Sequence, residues 1–567
     1  MANGANAAIL YRPEGFETTG PRLMGRQAAG EGLLKGFVQH ADVGRLYCYA
    51  PRREQAEHFN AAVKANGNTR PVHWLNEADA RTPAQAGTLY LPDPSISLHA
   101  WRRRQFDQRS YSIVGVTHTT ASAGAMDWIS GLQLSPAQDW DALICTSTVV
   151  KETVNFVLEA QAEFLAARLG AQRFPKPQLP VIPLGIDTDS FTPDETARAE
   201  GRAVLGIGAD DIAVLFVGRL SFHAKAHPLP MYLGLERVAR AMPARKIHLL
   251  QAGWFANDFI ANAFKEGAAR FCPSVHCGFV DGRNAAARRQ AWAAADIFTS
   301  LSDNIQETYG LAPVEAMAAG LPSVVTDWNG YRDTVRDGID GIRVPTVMPP
   351  PGWAADLADR HAHGIDNYDH YCGFTSQFVA VDPEACAAAY ARLIQDPGLR
   401  RQMGEAARTR AVAAFDWRVV IRQYQQLWAE LAERRRNATE SAPRISGHPA
   451  HPTRADPYQA FASYATATLD PDDRVAGTGR ICRSLRGDHR LQPGCLCQGG
   501  EPACGGDACR AGSVAGRRTQ RRRAGAGPAA GSAFILCAQP ALARQDGPGA
   551  DPEDLELRRA RRARSPS

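Results

Sequence analysis

Between residues 7 and 344 the chain alternates, twice over, between short apolar or β-branched runs and helical stretches, a pattern that few folds accommodate. The first series reads Ala7–Tyr11, Arg45–Tyr49, Val72–Leu75, Thr88–Leu91, Ser112–Val116, Ala142–Cys145 and Val181–Ile182. The second reads Ala213–Val217, Ile247–Ala252, Val275–Val280, Asp296–Ser300, Ser323–Thr326 and Ile342–Val344. Apolar strands separated by helices are buried on both faces, so each series predicts a parallel sheet covered by helices. Two sheets need two cores, in keeping with 567 residues, a length beyond what one core supports. The text between them, Pro180-Val-Ile-Pro-Leu-Gly-Ile-Asp187 onward, is punctuated like a connection, and a linker is expected over about 184–205.

The formal net charge of +5 belongs to one end of the chain. From Val475 onward there are 16 Arg and 8 acidic residues, whereas the preceding 474 residues hold 48 basic and 51 acidic. The body therefore offers no overall charge for a nucleic-acid partner, and none is expected. The last stretch, 475–567, loses hydrophobic periodicity, carries the arginine runs Arg517–Arg523 and Arg558–Arg564, and holds six of the 12 cysteines without zinc-ribbon spacing. It reads as a low-complexity basic tail, disordered or derived from a frameshift in a GC-rich gene. The other six cysteines are scattered, as reduced cytosolic thiols are. Met1–Phe16 lacks the basic-then-apolar order of a signal peptide, and no apolar run reaches the length of a membrane span. The expectation is a cytoplasmic protein, with peripheral inner-membrane contact open.

Candidate chemistry gathers after strand ends, where parallel α/β sheets place it. Ser300–Pro322 predicts a strand, a loop with Glu307 and Gly310, and a helix with Pro313 at its first position and Gly320 just past its end. Glu307 and Glu315 then flank a helix N-terminus, whose free N–H groups and dipole favour an anion such as a sugar phosphate. Arg219 and Lys225 follow the first strand of the second series, six residues apart on a loop, and suit a diphosphate: one forks, the other is a mobile point charge. His118 follows the Ser112–Val116 strand. The loop from Gly15 to Gly20 stands between the first strand and a helical pattern at about Arg26–Gln39, as phosphate-binding turns do. Residues 346–382, rich in Pro, Gly, His, Tyr and Asp, read as an insertion rimming a cleft rather than a metal site made by His361, His363, Asp369 and His370, because no zinc spacing is present. Pro383–Arg436 reads as terminal helices.

Together these residues resemble the retaining, nucleotide-sugar-dependent glycosyltransferases of family 4. The matching elements are Glu307-x7-Glu315 within Glu-Thr-Tyr-Gly-Leu…Glu-Ala-Met-Ala-Ala-Gly-Leu-Pro, the Gly218-Arg-Leu…Lys225 loop, Val181-Ile-Pro-Leu-Gly-Ile-Asp187, the Gly-Arg-Gln-Ala-Ala-Gly-Glu segment and Phe415-Asp-Trp417. The likeness spans most of residues 5–435. It implies a GT-B fold: two facing Rossmann-like domains, 1–190 on the acceptor side and 205–395 for the nucleotide sugar, then C-terminal helices over 396–436 that cross back. It also implies roles. Arg219 and Lys225 would hold the diphosphate and stabilise the departing nucleotide. Glu315 would accept from the ribose hydroxyls, and Glu307 would stand beside the donor sugar. The N–H groups of Tyr309, Gly310, Leu311 and Ala312 would bind sugar and phosphate oxygens. His118 would face the transferred sugar, Gly20 the phosphates, and Gly278, Phe279 and Val280 the base. The co-substrate would be a UDP- or GDP-sugar, with no metal or other cofactor, and the acceptor a glycan or lipid-linked molecule of polysaccharide synthesis. An epimerase or hydrolase of the same fold, or a catalytically dead glycan-binding scaffold, are the alternatives. Three features depart from the family pattern: Ala-His-Pro after Lys225, Asn329-Gly330 with Asp333 in place of Gly-Gly with a glutamate, and the 346–382 insertion.

Overall fold

The computed structural model describes residues 4–18 and 25–466. Gly20 and the 475–567 tail lie outside the described residues. The first sheet contains β1 (Ala8–Leu10), β2 (Leu46–Ala50), β3 (Val72–Asn76), β4 (Thr88–Tyr90), β5 (Ser112–Val116) and β6 (Ala142–Ile144), all parallel, in the order β3-β2-β1-β4-β5-β6. The second contains β7 (Ile212–Val217), β8 (Ile247–Gly253), β9 (His276–Asp281), β10 (Ile297–Ser300), β11 (Ser323–Thr326) and β12 (Gly341–Val344), also parallel, in the order β12-β11-β10-β7-β8-β9. Counted from its own first strand, each sheet has the 3-2-1-4-5-6 order of a doubly wound dinucleotide fold, and each reverses direction at its first strand. Two Rossmann-like sheets of this kind make the GT-B architecture.

Val181–Ile182 does not become a strand. It forms only a bridge from Val181 to Cys145 at the end of β6, because Pro180 and Pro183 on either side have no N–H for a ladder. Within the expected linker, the helix Glu195–Leu205 packs on the helix Ala285–Ala294 of the second domain. Arg202 bonds Asp296 at 3.1 Å, Arg198 pairs with the same carboxylate, and Gly201 lies against the Gln290 carbonyl where a Cβ would stand 2.7 Å away.

The chain crosses back after residue 410. A π-helical turn, Ala411–Phe415, leads into the helix Trp417–Asn437, whose Trp417, Val420, Ile421, Tyr424, Trp428 and Leu431 are buried in the core of the first sheet beside the helix Gly25–His40. Trp417 fits a slot of three glycines. A Cβ on Gly36 or Gly185 would lie 2.6 and 2.5 Å from its ring system, and one on Gly32 3.2 Å. Beyond β12, β13 (Thr346–Val347) pairs antiparallel with β14 (Ala380–Val381) and closes an excursion of two helices, Ala355–Ala362 and Tyr368–Ser376. Arg360, on the first of these helices, forks onto Asp366 in the turn between them at 2.7 Å through Nε and Nη2. No helix among the described residues is long and apolar enough to cross a membrane. A second unit begins at Asp456, and its described residues, 456–466, include a short helix, Pro457–Ala460.

Candidate active site

The loop after β10 ends at the helix Leu311–Ala318, which begins two residues earlier than expected, so Pro313 occupies its third position. There the proline removes one N–H that would lack an intrahelical acceptor and leaves those of Leu311 and Ala312 available. Gly310 caps this end at φ 88°, and a Cβ on it would lie 2.2 Å from the Tyr331 ring; both facts require glycine. Tyr331 is fixed in turn by a 2.8 Å bond to Ser300 Oγ. The Asn329-Gly330 departure is built into this turn. Asn329 takes a left-handed conformation (φ 35°) and donates to the Glu307 carbonyl, while a Cβ on Gly330 would stand 2.5 Å from the Thr308 carbonyl oxygen.

Onto this turn converge the charges. Lys225 Nζ pairs directly with Glu307 Oε2. Burial alone would push the Glu307 carboxyl up, but Lys225 and the N–H groups of Tyr309 and Thr308 outweigh it and hold the group below its ordinary value. Arg219 has no carboxylate partner among the described residues. Its Nη2 donates to Gln306 Oε1 at 2.8 Å and to the Ala224 carbonyl at 3.1 Å. The Glu315 carboxylate, on the second turn of the helix, has no hydrogen-bond or ion-pair partner among the described residues. Burial raises its carboxyl, against the pull of Arg288 and Lys225. Tyr309 presents only its backbone to this turn, since its ring is buried and its hydroxyl donates to the Leu184 carbonyl at 2.9 Å.

The first domain meets this turn at Thr308. Thr308 Oγ1 donates to the His118 carbonyl at 3.1 Å, and Ser147 Oγ donates to the Thr308 carbonyl at 2.9 Å. His118 is thereby brought to the same cleft, and burial, with a smaller contribution from Arg26, lowers its imidazole to about 4, so it is neutral at pH 7. Asp333 also reaches across: its carboxylate accepts from the N–H and hydroxyl of Thr148, at the start of the helix Thr148–Leu169, where a negative charge is favoured. Gly278, Phe279 and Val280 lie on β9, at the edge of the second sheet and apart from the Glu307 turn, with Phe279 against Phe255.

Several residues of the site escape a reading by motif. Gln306 holds Arg219. Asn304 donates to the His223 carbonyl at 2.7 Å and accepts from the Gln306 N–H at 2.9 Å, tying the two loops. Asp303 is buried with Oδ1 unpartnered, its other oxygen accepting the His227 N–H at 3.2 Å, and burial pushes its carboxyl up to about 7. All three stand between Ser300 and Glu307, so position was their signal. At the ends of β7 and β8, Gly253 approaches Gly218 so closely that a Cβ would lie 2.0 Å from its carbonyl oxygen; this leaves a ledge of bare backbone beside the arginine loop. No group of three or more His, Cys, Asp or Glu side chains among the described residues could hold a metal ion. His361 stacks on Tyr371 at 4.2 Å, and His363 Nδ1 bonds the Asp359 carbonyl at 2.7 Å.

Residues 211–366 match the family model described as Glycosyl transferases group 1. The chain is 29% identical over 267 residues to a D-inositol 3-phosphate glycosyltransferase of Geodermatophilus obscurus, covering 44% of this chain and 55% of the relative. It is 27% identical over 251 residues to a phosphatidyl-myo-inositol mannosyltransferase of Mycobacterium tuberculosis, covering 44% and 54%. It thus spans about half the length of these curated relatives. Among solved structures it is similar to the Anabaena protein HepE in complex with UDP, at 15% identity and a TM-score of 0.49, over 75% of this chain and 100% of that one. The stretch that matches the glycosyl transferases group 1 model runs from the start of the second sheet to the turn between the two helices of the excursion.

Proposed function

We propose that this protein is a retaining glycosyltransferase that moves a sugar from a nucleotide-diphosphate sugar to a glycan or lipid-linked acceptor. The single observation that carries the reading is the convergence of Arg219, Lys225, Glu307 and Glu315 on the N-terminus of the helix Leu311–Ala318, with His118 opposite. A departing nucleotide diphosphate develops negative charge, and preorganised cations with helix N–H groups are what stabilise it. Arg219 offers a fork held ready by Gln306, and Lys225 a point charge. With the diphosphate between them, Lys225 leaves Glu307 for the phosphates or shares itself between the two, and Glu307 turns to the sugar hydroxyls. Glu315, unpartnered on the helix, accepts from the ribose. His118, neutral, donates or accepts a hydrogen bond at the sugar without adding charge. In this reading protein cations do the work of a metal, and the nucleotide sugar is a co-substrate.

The test is nucleotide release from a panel of UDP-, GDP- and ADP-sugars, with and without acceptors, followed by the anomeric configuration of any product. Turnover with one donor, retained configuration, and loss of turnover in Lys225→Ala and Glu307→Ala are expected. Failure of every nucleotide sugar to bind in calorimetry would overturn the proposal in favour of a glycan-binding scaffold.

A further inference from the structure

The two-helix excursion over 346–382 reaches the same turn that carries His118. Its base is the β13–β14 pair, and its second helix runs along the arginine loop. Gly373 lies so close to His223 that a Cβ would stand 3.0 Å from that residue's own Cβ, and Asn304 Nδ2 bridges the His223 carbonyl (2.7 Å) and the Cys372 carbonyl (3.4 Å). At the first position of this helix, Tyr368 sends its hydroxyl to Thr119 Oγ1 of the opposite domain, 3.3 Å away. Thr119 Oγ1 also accepts the Ala121 N–H at 3.2 Å, which fixes the hydroxyl that Tyr368 meets.

We infer that Tyr368 is a positioning residue for the transfer reaction, fastening the His118 turn to the donor side of the cleft. The inference rests on the proposed function for its kinetic consequence, though not for the contact itself. From the opposite domain the turn is held at two points. Thr308 Oγ1 grips the His118 carbonyl, and Tyr368 grips the next side chain. One hydrogen bond leaves a turn free to pivot about it, whereas two on adjacent residues set its orientation and hence the direction of the imidazole. The same helix leads through Cys372, Asn304 and Gln306 to Arg219. Closure of the cleft and placement of the guanidinium are thereby joined in one hydrogen-bonded path. A misplacement of about 1 Å from a residue away from the chemistry can cost up to a hundredfold in rate.

The experiment is a double-mutant cycle in the full chain. Tyr368→Phe and Thr119→Val should each lower kcat about tenfold with the wild-type donor while leaving KM for that donor and the affinity for UDP within about twofold. The double variant should lose no more than Thr119→Val alone, because Tyr368→Phe removes a contact that Thr119→Val has already removed. Thr119→Ser, which keeps the hydroxyl, should retain activity. Thermal unfolding checks that none of the variants is merely unfolded. Independently of turnover, hydrogen exchange at the Ala121 amide should quicken in Tyr368→Phe and leave β7 amides unchanged. Additive losses in kcat, or unaltered exchange at Ala121, would overturn the inference. If the wild type releases no nucleotide from any donor, the transferase reading fails, and the exchange result alone decides whether Tyr368 fastens the turn.

Discussion

Lys225 Nζ and the Glu307 carboxylate form a direct ion pair between two loops of the second domain, with side-chain exposures of only 17% and 9%. Removing one partner leaves the other charge in a poorly solvated place. Lys225→Ala should therefore lower stability by about 1–3 kcal/mol, less than for a fully buried pair. Combining it with Glu307→Gln should recover part of the loss, as read from urea unfolding midpoints. A double variant no more stable than Lys225→Ala would show that the unpaired Glu307 carboxylate is not the source of the loss.

Two groups beside the cleft give the folded state opposite responses to pH. Unfolded, His118 takes up a proton below about pH 6.5; folded, it does so only near about 4. The folded state binds fewer protons in that window, so stability falls as pH drops through it, by at most about 3 kcal/mol. Asp303 works in the other sense. Its folded value of about 7 lies above its ordinary 3.8, so it stays protonated where the unfolded chain has ionised, and stability falls as pH rises from about 4 to about 7. His118→Gln should flatten the loss of stability on the acid side and Asp303→Asn the loss of stability as pH rises toward neutrality. Denaturant unfolding from pH 4 to pH 8 measures both.

The Trp417 slot predicts a glycine that a helix should not lose. Alanine raises helix propensity over glycine by about 1 kcal/mol, yet a Cβ on Gly36 would lie 2.6 Å from Trp417. Gly36→Ala should destabilise by roughly 1–3 kcal/mol through overpacking. Gly124, in the helix Ala123–Ser130 with no atom within 4 Å of its would-be Cβ, is the control. Gly124→Ala should stabilise by roughly 0.5–1 kcal/mol. Differential scanning calorimetry of the two variants should move Tm in opposite directions.

In the first domain Asp141 is saturated. It accepts both Arg103 guanidinium nitrogens at 2.7 Å and the N–H groups of Ile113 and Gln138 at 2.8 Å, and both side chains of the ion pair are fully buried. Asp141→Asn keeps the shape but leaves the Arg103 charge without its counter-ion in the core. A loss of roughly 3–5 kcal/mol in unfolding free energy is expected, and near-wild-type stability would refute the pairing as drawn.

The alternation of apolar runs by itself determined the two parallel sheets, because a strand buried on both faces must be apolar along its length whatever surrounds it. It read the twelve ladder strands to within a residue or two, and failed at Val181–Ile182, where flanking prolines deny a ladder that apolarity alone suggests. The region of the cleft was legible too, since chemistry in this fold follows strand ends, and Glu307 and Glu315 stand beside a helix start marked by Gly310. What only the tertiary structure decided are relationships between distant segments. Lys225 meets Glu307 across 82 positions, Asp333 meets Thr148 across 185, and Tyr368 meets Thr119 across 249. The crossing helix completes the core of the first sheet from the far end of the described chain. Local periodicity records which face of an element is buried, but not which partner buries it; that choice is made by the packing of whole elements, and the charges of the cleft find their partners only after it.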